Sequence, residues 1–118
     1  MKRYTILIAS EPSDWQDVDE DTRQQFFAAH RAFDAYVATH GETVASAALG
    51  DADTATTLRG PERTVTDGPF AELVEQIGGY YDVRLPDLDH AIAAARLLPA
   101  SYTLEIRPVV GVDGYDEG

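Results

Sequence analysis

Phe26-Phe27-Ala28-Ala29-His30-Arg31-Ala32-Phe33-Asp34-Ala35-Tyr36-Val37 decides the fold class. Phe26, His30, Phe33 and Val37 fall at i, i+4, i+7 and i+11, one face of a 3.6-residue period. Phe27 and Tyr36 widen the stripe, while Gln24, Arg31 and Asp34 fall on other faces. Such a helix must lay its apolar face on a sheet, and His30 points the same way as the phenylalanines. Asp19 or Asp21 can cap it, acids in the first turn suit the helix dipole, and Gly41 ends it near His40.

Strand signals surround this helix. Before it, residues 3–9 alternate Tyr4, Ile6 and Ile8 against Thr5 and Leu7. An acidic loop over 10–18 carries Trp15, expected as a lid or a contact with a second copy. After it, 43–49 and 54–59 read as strands separated by Gly50-Asp51-Ala52-Asp53, and Thr64–Thr66 as a short strand beyond the Gly60-Pro61-Glu62 turn. Asp67-Gly68-Pro69-Phe70 is a turn leading to a brief helical turn over 71–76. A strand spans 77–85. Asp87 or Asp89 caps a second helix that ends near Leu98, before Pro99, with Leu88, Ile92, Ala95 and Leu97 as its apolar positions. A last strand covers 102–110, where Leu104 and Ile106 alternate with Glu105 and Arg107.

The order β, α, β, hairpin insertion, β, α, β predicts an α+β, ferredoxin-like fold: an antiparallel sheet with two helices on one face. The opposite face then lacks a helical cover. It should carry Ile6 or Leu7, Tyr80 or Tyr81, and part of the last strand. An open apolar face of this kind predicts a homodimer with two sheets face to face.

Composition narrows the function classes. The chain has 118 residues, one domain's worth, read as a domain over 1–110 and a frayed acidic tail over 111–118. It has no cysteine, which excludes disulfides, thiolate metal sites and a cysteine nucleophile, and fits a reducing cytoplasm. The run from Ile6 to Ala9 is too short for a membrane span. Twenty-one acids against nine bases give a net charge of −12, and eight of the bases are arginines. That field repels phosphate backbones, so no direct nucleic-acid partner is expected, and no membrane partner. No compact His or Cys ligand spacing appears, so neither a metal nor a cofactor is expected.

The most specific stretch is Val65-Thr66-Asp67-Gly68-Pro69-Phe70-Ala71-Glu72, followed by Glu75-Gln76-Ile77-Gly78-Gly79-Tyr80-Tyr81. It resembles the signature of the DGPF proteins, a branch of the YCII-related family. The opening strand, the helix closing on Gly41, Thr54–Arg59 and Glu105-Ile106-Arg107-Pro108-Val109 share the likeness. The resemblance implies a dimeric α+β barrel. It implies no known reaction for this branch, whose genes often lie near those for alternative sigma factors. The wider family resembles muconolactone isomerases and small lyases, with a His–Asp pair as the suspected catalytic dyad. His30 stands before Gly41 at a spacing similar to the family histidine. The family aspartate precedes a proline after the second helix; here Leu98 precedes Pro99, so that acid is missing and Asp67 is the alternative.

These readings predict a pocket between the first helix and the sheet for a small carbonyl- or carboxylate-bearing molecule. His30 and Asp67 would handle a proton in an isomerase- or lyase-type step. Tyr4, Gly68, Pro69, Phe70, Glu72, Gly79, Tyr80 and Tyr81 are the expected ligand-binding residues, with Arg84 and Arg107 as further candidates for an anion. Asp67 can instead cap its own turn. Glu72 and Glu75 would share one side of the short helical turn, and His40 and His90 would face solvent. The other reading is a non-catalytic ligand-binding or regulatory module tied to a sigma-factor transcription pathway. A cofactor-free monooxygenase is a third, by fold analogy.

Overall fold

The computed structural model describes residues 1–115. Strand β1 (Lys2–Ser10) leads to helix α1 (Glu20–His40) and strand β2 (Glu42–Ala48). A two-stranded ribbon of β3 (Thr56–Arg59) and β4 (Thr64–Asp67) follows. Strand β5 (Gln76–Leu85), helix α2 (Leu88–Ala95) and strand β6 (Thr103–Pro108) complete the chain. The main sheet has the order β2-β5-β1-β6 and is antiparallel throughout. This is the ferredoxin-like arrangement, with the ribbon inserted between the second and third strands of the main sheet. Of the expected tail, residues 116–118 lie outside the described residues.

The core sits between one sheet face and the helices. Ile6, Phe33, Val37, Val83 and Leu85 are sealed from solvent, joined by Tyr4, Ala91, Ala94, Ala95 and Leu98. Burying a side chain of this size stabilises by roughly 1.5–3 kcal/mol, so these few residues carry the fold. Asp19 caps α1 by accepting from the Thr22 amide at 2.7 Å, and Asp87 caps α2 by accepting from the His90 amide at 3.0 Å. Gly41 ends α1 for a reason of space. A Cβ there would stand 1.8 Å from the Arg84 carbonyl oxygen, so only glycine lets the chain turn straight into β2.

Three local expectations are corrected. Helix α2 buries Ala91, Ala94 and Ala95, with Leu98 sealed just past its end, while Leu88 and Leu97 are exposed. Its inward stripe is built of small residues, which bring the helix close to the sheet, so side-chain size misled the reading. Residues 71–75 form no helical turn. The Gln76 side chain donates to the Ala71 and Leu73 carbonyls, taking acceptors that a helix would use, and one isolated turn does not nucleate. His40 and His90 do not face solvent freely. His40 stacks on Tyr36 with ring centroids 4.2 Å apart, and His90 donates to the Asp87 carboxylate at 2.6 Å.

Register settles the two sheet faces. Tyr81 pairs with Ile6 on the helix side, and Tyr80 pairs with Leu7 on the opposite side. The uncovered face therefore carries Leu7, Tyr80, Thr103, Glu105 and Arg107. Arg3 and Asp82 also lie there, joined by two hydrogen bonds of 2.9 and 2.6 Å that let the Asp82 carboxylate sit nearly buried.

Candidate functional site

The helix stripe delivers His30 where the reading expected it. Phe33 and Val37 lock α1 onto the sheet, and one turn towards the N-terminus His30 comes down half-buried over β5 and the start of β6. The Tyr81 ring packs against Phe33 at 4.2 Å, and its hydroxyl lies 2.6 Å from His30 Nδ1. The Tyr102 ring, held edge-on by Phe26 at 5.9 Å, places its hydroxyl 3.0 Å from His30 Nε2. Both ring nitrogens are thus engaged by phenols. In the neutral imidazole one N–H donates to one tyrosine, and the bare nitrogen accepts from the other.

Burial sets the protonation of this trio. It pushes the His30 pKa below its ordinary value, against a weaker pull from the Asp34 carboxylate one turn along α1. The Tyr81 hydroxyl is pushed up to about 12, mainly by burial and further by Asp34 and Tyr102. Tyr102 is raised by burial. At neutral pH the site holds a neutral imidazole between two protonated phenols, a chain along which a proton can be passed.

A cavity of about 260 Å³ opens beside the trio, lined by Ile8, His30, Ser46–Ala48, Gly78–Tyr81 and Tyr102. Of the expected ligand-binding residues, Gly79, Tyr80 and Tyr81 line it. Pro69 and Phe70 line a different cleft, about 560 Å³, floored by Leu7, Ala9 and Ile77 on the uncovered side of the sheet. Tyr4 is buried in the core. Gly68 has φ +95°, which favours glycine, and its amide bonds to the Ala55 carbonyl. Glu72 is exposed, and Glu75 accepts from the Thr103 hydroxyl. Arg84 and Arg107 are paired with Glu42 and Glu105.

Asp67 does not join His30 within the chain. It stands on the ribbon opposite Thr56, exposed and absent from the His30 cavity. Its carboxylate accepts no turn hydrogen bond among the described residues, so the expected capping role is not made either. The polar partners of His30 are phenols rather than a carboxylate. Tyr102 was open to discovery, because extending the Leu104–Ile106 alternation back by two places it on the helix face beside Tyr81. No comparable signal marked Asp34, which acts through space from an exposed position. Trp15 packs edge-on against Phe26 and Phe27 at 5.9 and 5.8 Å, with the Arg23 guanidinium 5.3 Å from its ring. It covers the first turns of α1.

Among the described residues no group of three His, Asp or Glu could hold a metal ion. Likewise, no helix of the described residues is long and apolar enough to cross a membrane.

Sheet order, helix placement and a histidine held over the sheet define the class: a ferredoxin-like α+β domain with a cavity beside the histidine of its first helix. The chain belongs to the YCII-related family, whose domain model matches residues 2–112. No curated protein matches it significantly.

Proposed function

We propose that the chain binds a small carbonyl- or carboxylate-bearing molecule in the His30 cavity and moves a proton on it in an isomerase- or lyase-type step. The single observation that supports this is the Tyr81–His30–Tyr102 chain, open to a cavity of small-ligand size. A neutral imidazole can accept a proton from a carbon next to a carbonyl, and a phenol can donate to the developing oxyanion. Asp67, carried on the ribbon, is a candidate second acid only if another chain brings it to the cavity. The working unit in this reading is a homodimer packed through the uncovered sheet face, as the likeness to the DGPF branch suggests.

Calorimetric titration of small keto acids and aromatic acids tests the binding. The expected result is at least one ligand whose affinity falls about tenfold or more in His30→Ala and in Tyr81→Phe. Unchanged affinity in both variants would remove the reading.

One observation favours the non-catalytic module. A histidine with both nitrogens hydrogen-bonded is already satisfied and needs no substrate to complete it. For such a module His30→Gln keeps ligand affinity, and no hydrogen–deuterium exchange occurs at the ligand's acidic carbon.

A further inference from the structure

We propose that the β3–β4 ribbon is a clasp that lies on a second copy of this chain. The inference rests on the face-to-face dimer above and adds a contact surface to it. The ribbon forms its own two-stranded sheet, and neither strand packs substantially on the main sheet or on either helix. A hairpin standing alone in water is at best marginally stable. Leu58 and Val65, a cross-strand pair on one ribbon face, are 55% and 63% exposed. Beyond the ribbon, Phe70, Leu73 and Val74 are 79%, 67% and 73% exposed. A run of apolar surface on an unsupported arm marks an interaction site.

Shape and charge make a second copy the occupant. The chain measures 47 × 47 × 20 Å, with a radius of gyration of 16.4 Å. A compact domain of this length has about 13.5 Å. Two such discs, stacked through their uncovered faces, restore a body of ordinary proportions. Two copies at −12 each repel one another unless the touching surfaces are neutral. Most charges of the uncovered strands are paired internally, as Arg3–Asp82, Arg84–Glu42 and Arg107–Glu105, which leaves Asp51 and Glu75 at the adjoining cleft as the acids a second copy would meet. The segments flanking the ribbon adjoin that face: Ala55 on one side and Pro69, Phe70 and Leu73 on the other wall the 560 Å³ cleft whose floor is Leu7, Ala9 and Ile77. Whatever covers the face therefore meets the arm, and two-fold symmetry makes the exchange mutual.

Sedimentation velocity on the whole chain tests this. The wild type is expected to be a dimer. The double variant Leu58→Asp, Val65→Asp should weaken dimerisation about tenfold or more, with the near-ultraviolet circular dichroism unchanged, because neither residue belongs to the core. Phe70→Ser with Leu73→Ser gives the same readout at a second place if the first variant does not fold. Wild-type dimerisation in both arm variants would overturn the clasp. Leu7→Asp, on the sheet face, separates the two ideas. If Leu7→Asp dissociates while the arm variants stay dimeric, the face-to-face dimer stands and the clasp falls. Dissociation of both the arm variants and Leu7→Asp supports the clasp, whereas dissociation of the arm variants alone removes the face-to-face packing and the clasp that rests on it. A monomeric wild type removes both.

Discussion

The helix side of the main sheet and the β3–β4 ribbon are built from the same alternating residues and have opposite fates. On the helix side, Ile6, Val83 and Leu85 meet Phe33 and Val37 and lose all contact with water. On the ribbon, Leu58 and Val65 alternate with Thr57 and Thr66 as regularly, yet both stay exposed. Period-two patterning specifies which residues share a face. It does not supply the second layer that makes a face worth burying. α1 and α2 supply that layer on one side of the main sheet. The ribbon and the other side lack it within the chain.

The largest effect should come from the covered side. Phe33→Ala removes the ring that touches Tyr81 and is fully enclosed, so it should cost about 3–5 kcal/mol in chemical unfolding. A loss below about 1 kcal/mol would mean that α1 is not seated on the sheet and that the contrast with the ribbon is false. The same substitution should weaken any ligand binding at His30, because Phe33 packs the Tyr81 ring beneath the imidazole.

The legible parts of the molecule were those decided by local periodicity. The α1 stripe located His30 on its correct face, and the order of elements gave the sheet topology and its uncovered side. Opposed faces for Tyr80 and Tyr81 followed from alternation alone. What the sequence hid depends on contacts distant along the chain. Tyr102, just before β6, and Tyr81, in β5, reach His30 from 72 and 51 residues away, and only the β1-centred pairing of β5 and β6 brings them together. The pairing of His30 with Asp67 assumed that two motif residues share a pocket, whereas the ribbon carries Asp67 away on its own two-stranded sheet. Helix α2 misled because alanines made its inner stripe, and a size-weighted reading looks for leucines.

Titration gives an intermediate effect and bears on the covered side alone. The folded chain holds the Tyr81 proton up to about 12, whereas an unfolded tyrosine releases it near about 10. Stability is therefore fully present below about pH 10 and is lost as pH rises through about 12. For His30 the direction reverses. Burial lowers its folded value, so stability is present above the ordinary imidazole range near about 6.5 and falls as pH drops through the lowered value. Thermal melts should decline at both ends, and Tyr81→Phe should flatten the alkaline limb. Equal alkaline slopes in wild type and variant would show that the phenol is not buried beside the imidazole.

The smallest effect sharpens the comparison most. Leu58→Ala deletes a side chain of the same class as those in the core, but one left exposed by its own chain. In dilute solution, where single chains dominate, unfolding followed by Trp15 fluorescence should change by no more than about 0.5 kcal/mol. Trp15 is a fair reporter because it packs on Phe26 and Phe27 of α1, away from the ribbon. At concentrations that populate a dimer the same variant should lose stability relative to wild type, since association stabilises the folded form by mass action. A loss above about 1 kcal/mol that is independent of concentration would tie the ribbon energetically to its own core. Exposure would then no longer distinguish the two regions, and the ribbon would need no partner to explain it.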